Sequence, residues 1–352
     1  LLVDMSNGAV AQLVARGKQD EHITGKPQIT FFNSAFKRHS NFSTFTQEQT
    51  IESVPKAGAT SRVIFKRSGD LLGHTYMDVK LNGETQLIED WRTVIESVEL
   101  YIGGQLVDRQ DSEFSEDIAI DLLANSYAKS FSASLHGGLG SSSFFYPLRF
   151  FFCESWQSSL PIVALQYHDI ELKINWSQDF NENYSCHLNA CYACLDEHER
   201  DKVALSEHNM LIYQVQKNKP MNQMVQELTF NHPVKFIASS NVSQSNNLVS
   251  RTNKVKIQVN GSDIDDYKVS VPYYTSVPCY YNTEFSASNA EGMFVYPFCL
   301  LTSKYQPTGT LNFSRIDSCT IHCTENINRA IYAVNYNILK IKEGMGQILY
   351  VD

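Results

Sequence analysis

Hydrophobic and polar positions alternate with a period of two over many short stretches of this chain. Met77, Val79 and Leu81 alternate with Asp78 and Lys80, and Asn82-Gly83 follows as a hairpin-turn signal. Val98, Leu100 and Ile102 alternate with Glu99 and Tyr101 ahead of Gly103-Gly104. Ile170, Leu172, Ile174 and Trp176 take one side and Asp169, Glu171, Lys173 and Asn175 the other, the mark of a strand with one face on a core. Val255, Ile257 and Val259 alternate with Lys254, Lys256 and Gln258, and Asn260-Gly261 closes that run. Further strands are expected over 42–51, 62–66, 186–195, 294–301, 309–323 and 329–342, with two runs around His232-Pro233. The continuous apolar run 144–152 reads as a buried strand. Only 112–128 has a clear helical pattern, with Ser112 or Ser115 as its cap. One or two helical turns are expected at 9–16, and 25–32 reads as an extended lead into a sheet. The Gly-rich stretch 136–143 reads as a loop. Many strands and few helices predict an all-β chain of sandwiches or barrels with short helical insertions.

The pattern also repeats. Val98, Leu100, Ile102, Gly104, Val107 and Asp108 match Val255, Ile257, Val259, Gly261, Ile264 and Asp265. Phe144-Phe145-Tyr146-Pro147 matches Phe294-Val295-Tyr296-Pro297, and Pro161, Leu165, Tyr167 and Ile170 match Pro307, Leu311, Phe313 and Ile316. Three collinear matches predict one β fold present twice in tandem. The charged stretch 196–221, ending in Lys219-Pro220, is the natural joint. The expected division is an N-terminal arm (1–26), a first domain (27–205), a linker (206–221) and a second domain (222–352).

Composition agrees with this. Apolar residues make up 43% of 352, with 20 Phe and 18 Tyr, which is ample for burial and leans towards strands. The net charge of −9 makes general nucleic-acid binding a poor expectation, because phosphate contacts need clustered Lys and Arg. Arg16, Lys18, Lys26, Lys37 and Arg38 make the first forty residues locally basic. They read as a solvated arm or as an arm facing polyanions or acidic partners. The opening LLVDMSNGAVAQLVARG shows no basic stretch ahead of an apolar core, so no secretory leader is expected, and Met5 is a candidate start. No stretch approaches the roughly 18 apolar residues of a membrane span.

Candidate chemistry is sparse. Cys186, His187, Cys191 and Cys194 invite a zinc reading, but on a strand Cys191 and Cys194 point to opposite faces. Cys319 and Cys323 share one strand face and read as buried apolar thiols. Asp263, Asp265 and Asp266 lack the ligand set of a calcium loop. Six Asn-x-Ser sequons occur, at Asn41, Asn175, Asn183, Asn241, Asn260 and Asn312; without a leader, host N-glycosylation is not expected. No nucleophile, base and orienting group can be assembled, so neither enzymatic activity nor a cofactor is expected. Arg315 and Asp317 fall on the face of Leu311 and Phe313, where unpaired charges are costly. The expectation is a structural ion pair at a domain or subunit contact, or a bulge that turns them outward.

The stretch from Gln306 to Asp317, QPTGTLNFSRID, closely resembles a motif of the major capsid proteins of large icosahedral DNA viruses, the nucleocytoplasmic group with algal viruses and iridoviruses. GKQDEHITGKPQITFF (17–32), VELYIGGQ (98–105), FFYPLRFFF (144–152), LPIVALQYHDIELKI (160–174), LTFNHPVKF (228–236) and YNILKIKEGMGQILYVD (336–352) also look like family segments. The resemblance implies a double jelly roll, two tandem eight-stranded antiparallel sandwiches. It implies a homotrimeric, pseudo-hexameric capsomer that contacts neighbouring capsomers and minor or cement capsid proteins, in the virion capsid after assembly in the host cytoplasm. It makes Pro307, Gly309, Arg315 and Asp317 structural or interface candidates, beside Lys37 and Arg38 of the basic arm. The arm is the candidate for contacts beneath the shell, inner membrane-associated proteins among them. Loops 109–143 and 266–293 look short for the family, which leaves a minor capsid paralogue open. The alternative from another class is a tandem jelly-roll carbohydrate-binding or glycan-processing protein, which predicts a cleft with convergent acids.

Overall fold

The computed structural model describes residues 7–126, 129, 143–241, 245–284 and 292–351. Residues 7–40 belong to a compact unit separate from Asn41–Asp352. Within it Asn7–Val14 and Glu21–Thr24 are helical, and the Asp20 carboxylate accepts from the Gly17 N–H at 2.7 Å. Residues 25–32, expected to lead into a sheet, and 33–40 after them pair with no strand among the described residues. The first strand starts at Phe42, so the arm runs further than the expected boundary at 26.

Among the described residues the first half of the larger unit carries ten strands: β1 (Phe42–Gln49), β2 (Thr60–Ile64), β3 (Leu71–Leu81), β4 (Glu84–Thr85), β5 (Ile95–Ile102), β6 (Gln105–Asp111), β7 (Phe145–Pro147), β8 (Leu160–Pro161), β9 (Ile170–Trp176) and β10 (Ser185–Leu195). They form a sheet ordered β1-β10-β3-β4, with β7 and β8 also on β3, facing a sheet ordered β2-β9-β5-β6. The second half carries β11 (His208–Asn218), β12 (Val225–Glu227), β13 (Pro233–Ser240), β14 (Lys254–Val259), β15 (Ser262–Asp263), β16 (Lys268–Val269), β17 (Met293–Pro297), β18 (Leu311–Asn312), β19 (Cys319–Cys323), β20 (Ile331–Lys342) and β21 (Met345–Ile348). One sheet runs β11-β20-β13-β17, with β18 on β13 and β21 on β20; the other runs β12-β19-β14-β15, with β16 on β14. The expected hairpin turns form where positive φ is needed, at Asn82-Gly83 (52° and 86°) and Asn260-Gly261 (50° and 77°).

Alternation decides which faces meet. In β9 every second residue is buried, and Leu172, Ile174 and Trp176 enter the first core. Strands β13 and β20 are buried along nearly their whole length. Val234, Ile237, Ile331 and Ala333 pack into the second sandwich's own core, while Phe236, Ala238, Tyr332 and Val334 join the core of the first. The central sheet of the second sandwich is thus covered on both faces, and the two sandwiches share a continuous apolar interior.

Four expectations change. Residues 206–221 are not a linker, because β11 pairs with β20 over its whole length from His208–Ile341 to Asn218–Ile331. Its polar residues misled: the Gln216 side chain donates to the Asn335 side chain at 2.9 Å, and that of Asn337 to Gln214 at 3.0 Å. Only the first part of 196–221 lies outside the sheets, as the helix Glu197–Leu205, capped by Asp196, which accepts from the His198 N–H. The run 144–152 holds only the three-residue β7 and a 3-10 turn at Phe151–Cys153, which tuck Phe150, Phe151 and Phe152 inwards. The helix expected over 112–128 is wound as a π-turn at Phe114–Ile118 and continues to Leu122. Neither Ser112 nor Ser115 caps it; the Asp111 carboxylate accepts from the Phe114 N–H at 3.3 Å. Residues 127, 128 and 136–142 lie outside the described residues. Lastly, the third repeat match shifts: the 3-10 turn Ile162–Ala164 after β8 answers Phe313–Arg315 after β18, so Pro161 matches Asn312 rather than Pro307.

Candidate functional site

The QPTGTLNFSRID stretch fastens loops to the second sandwich. Pro307 is exposed, and Thr308 beside it clasps Leu301: its hydroxyl accepts from the Leu301 N–H and lies 3.1 Å from the Leu301 carbonyl. Gly309 has φ 141°, and a Cβ there would sit 2.8 Å from the Phe298 carbonyl oxygen. β18 then pairs with Pro233-Val234. The Asn312 side chain caps the following turn by accepting from the Ser314 N–H at 3.1 Å. Phe313 is buried edge-on between Phe230 and Phe298. That turn breaks the strand alternation, so Arg315 and Asp317 both stand exposed, with no ion pair between them among the described residues. Of the two outcomes weighed for these charges, the outward turn is what the chain adopts. Asp317 is anchored through its backbone N–H, which donates to the Asn260 side chain at 2.9 Å.

The second feature is the seam between the sandwiches. Asp108 on β6 is buried and accepts three hydrogen bonds: from the Val215 N–H of β11 at 2.9 Å, the Arg109 N–H at 2.9 Å and the Gln110 side chain at 2.7 Å. Burial pushes its carboxyl up to about 7, and the three donors hold it below where burial alone would put it. Tyr213 donates from its hydroxyl to the Arg149 carbonyl at 2.8 Å. At one end Asp117 accepts from the Ser240 hydroxyl at 2.9 Å and pairs with Arg92 at 3.1 Å. At the other the Gly346 N–H points at His168 Nδ1 at 3.1 Å, and the Ile348 N–H donates to the Gln105 side chain at 3.1 Å. Burial also lifts Asp117 and Glu116 to about 7, against the pull of Arg92 and Arg149 respectively.

The third feature is the separate N-terminal unit. Ile29, Phe31, Phe32 and Phe36 are 72%, 89%, 99% and 87% exposed, and Lys37 and Arg38 beside them are exposed too. Aromatic residues so bare, on a basic segment, have the composition of a contact segment. The six residues singled out from sequence are therefore not one site: Pro307, Gly309, Arg315 and Asp317 lie on one loop, and Lys37 and Arg38 on the arm. The seam was missed, because Asp108 carries the same sequence signal as its repeat partner Asp265, which is half-buried and accepts from the Tyr296 hydroxyl at 3.3 Å.

Among the described residues no three His, Cys, Asp or Glu converge as metal ligands. All eight cysteines are free. Cys319 and Cys323 share the buried face of β19 with Ile321, and burial pushes both thiols up to about 12.

Two family models match, one described as the major capsid protein N-terminus over residues 30–201 and one as the large eukaryotic DNA virus major capsid protein over 199–347. The chain belongs to this family of viral capsid proteins. It is 30% identical to the major capsid protein of Pyramimonas orientalis virus, covering 97% of this chain and 99% of that one. It is 28% identical to that of Paramecium bursaria Chlorella virus 1, covering 98% of this chain and 100% of that one. The second alignment runs over 440 positions against 352 residues here, so this capsid protein is shorter than its relative within the chain. Among solved structures, a chain of the PBCV-1 virus capsid superposes with a TM-score of 0.78 at 24% identity, covering 92% of this chain and 100% of that one. The Faustovirus major capsid protein gives 0.65 at 11% identity, covering 95% and 96%. The fold is a double jelly roll. The chain is a structural protein of the virion capsid, not an enzyme, and works by association with copies of itself.

Proposed function

We propose that this capsid protein trimerises into a pseudo-hexameric capsomer, and that such capsomers tile the flat faces of an icosahedral shell. The observation that carries this is the doubly covered sheet of β13 and β20, which holds two similar sandwiches in one fixed relation. Three such chains, each meeting the next through unlike sandwiches, close a ring of six similar blocks. Light scattering on the purified chain tests it. One chain is 39.9 kDa, so the expected species is near 120 kDa (about three chains) and unchanged on dilution. A chain that stays monomeric at every concentration would end the trimer reading.

The arm serves a different contact. Its first forty residues hold five basic and three acidic side chains, leaving 24 basic and 35 acidic residues in the rest of the chain. A basic, aromatic segment suits acidic surfaces on neighbouring capsomers or on minor and cement proteins beneath the shell, inner membrane-associated ones included. Arg315 and Asp317, exposed on one loop, are candidates for the subunit contact itself. Removing residues 1–40 is expected to leave the shortened chain trimeric and to abolish growth of capsomers into shells, scored by electron microscopy. Normal shells from the shortened chain would remove the arm from assembly.

A further inference from the structure

Between the sandwiches lies a cavity of about 260 Å³ lined by Leu123 and Asn125 from the first and Ile212, Lys235, Ser303 and Tyr336 from the second. Lys235 is 4% exposed on β13, inside an otherwise apolar run. Its ammonium donates to the Lys304 carbonyl at 3.0 Å and lies 5.6 Å from the centre of the Tyr336 ring. Among the described residues no carboxylate lies within ion-pair distance of it. The two acids that also line the cavity are held by other cations: Glu154 by Lys129 at 3.1 Å, and Glu284 by Lys304 at 2.7 Å. Two buried hydroxyls of lining residues, Tyr336 Oη and Ser303 Oγ, have no hydrogen-bond partner among the described residues. A buried charge and buried hydroxyls left in this state are costly, and an acceptor bearing one negative charge would meet the ammonium.

We propose that this cavity is a binding site for a small monocarboxylate, whose carboxylate takes Lys235, Ser303 and Tyr336 and whose tail lies against Leu123 and Ile212. The volume, roughly that of eight liquid water molecules, suits a short-chain acid. One ammonium with two hydroxyl donors matches a single charge; a phosphate dianion would bring a second charge with no buried cation to meet it. Burial lowers Lys235 to about 8, which agrees with an ammonium whose counter-charge is missing. A bound acid would touch both sandwiches and hold the seam closed. This does not depend on the trimer, because every group involved belongs to one chain.

The test is thermal unfolding and calorimetric titration of the full chain with hexanoate, inorganic phosphate and hexan-1-ol. Hexanoate is expected to raise the midpoint saturably, and hexan-1-ol and phosphate to leave it unchanged. Lys235→Met, which keeps the stem and removes the charge, is expected to be at least as stable as the parent and to bind hexanoate at least tenfold more weakly. Ser303→Ala serves as a second variant, with a loss of about threefold or more, should Lys235→Met fail to fold. Equal hexanoate binding by the parent and either folded variant would overturn the proposal, as would no response of the parent to hexanoate. A response to phosphate alone would overturn the carboxylate assignment.

Discussion

Replacing Asp108 with alanine is expected to destabilise the chain by about 2–4 kcal/mol near neutral pH. The Val215 N–H of β11 and the Arg109 N–H lose their acceptor, and the Gln110 side chain keeps only its 2.9 Å bond to the Arg149 carbonyl. Orphaned partly buried donors cost about 1–3 kcal/mol each. The conservative variant separates geometry from charge. Asp108→Asn keeps Oδ1 for both backbone donors but turns an amide towards Gln110 Nε2, itself a donor, so about 1–2 kcal/mol is expected. Urea midpoints give both numbers.

The same variants carry a pH signature. Asp108 has its carboxyl raised to about 7 by burial, so the folded chain binds a proton that the unfolded chain releases near pH 4. Stability from this group is full below the unfolded value and is lost as pH rises through about 7. Asp117 and Glu116 act in the same direction over the same window. The parent is therefore expected to lose stability from pH 5 to pH 8, and Asp108→Asn to show a shallower slope. The alanine variant should be hurt more at pH 5 than at pH 8, because the acid end is where the parent gains. A parent whose urea midpoint is flat or rising across that range would show that the seam carboxyls are not held protonated.

How much of this the sequence disclosed depends on whether a residue's partners are local. The alternation in Met77–Leu81, Val98–Ile102, Ile170–Trp176 and Val255–Val259 lies on strands, because a strand half-covered by a core must read with period two. The tandem repeat was legible for the same reason. The run 144–152 was misread because continuous apolarity has no period and fits a turn packed with phenylalanines as well as a strand. β11 was misread because its glutamines answer asparagines more than a hundred residues away on β20. A strict alternation count puts Arg315 and Asp317 on the buried face, and the single 3-10 turn that brings them out is invisible to that count. Lys235 is a single charge in an apolar run, and Asp108 is one of three charges on the short strand β6. What makes each matter is the other sandwich, and no local signal encodes which strand will pass beside it.

Gly309→Val is the second large effect, expected at about 2–4 kcal/mol. At φ 141° a side chain is strained whatever the space, by about 1–3 kcal/mol, and branching at Cβ adds to it. The space is also closed: the new Cβ would meet the Phe298 carbonyl oxygen at 2.8 Å and the Cys299 Cα at 3.2 Å, which are backbone atoms with no rotamer to yield. Moving the loop to relieve the contact pulls on Thr308 and its bonds to Leu301. Arg315→Ala should behave in the opposite way. Arg315 is exposed on the same motif, so its loss is expected to leave the stability within about 0.5 kcal/mol. If both variants are passed through light scattering, the motif divides into two jobs. A fall in stability with a normal trimer for Gly309→Val, beside normal stability with a weakened trimer for Arg315→Ala, means that the glycine holds the loop and the arginine meets the neighbour. A normal trimer from Arg315→Ala would take Arg315 out of the subunit contact and leave the motif as a latch within one chain.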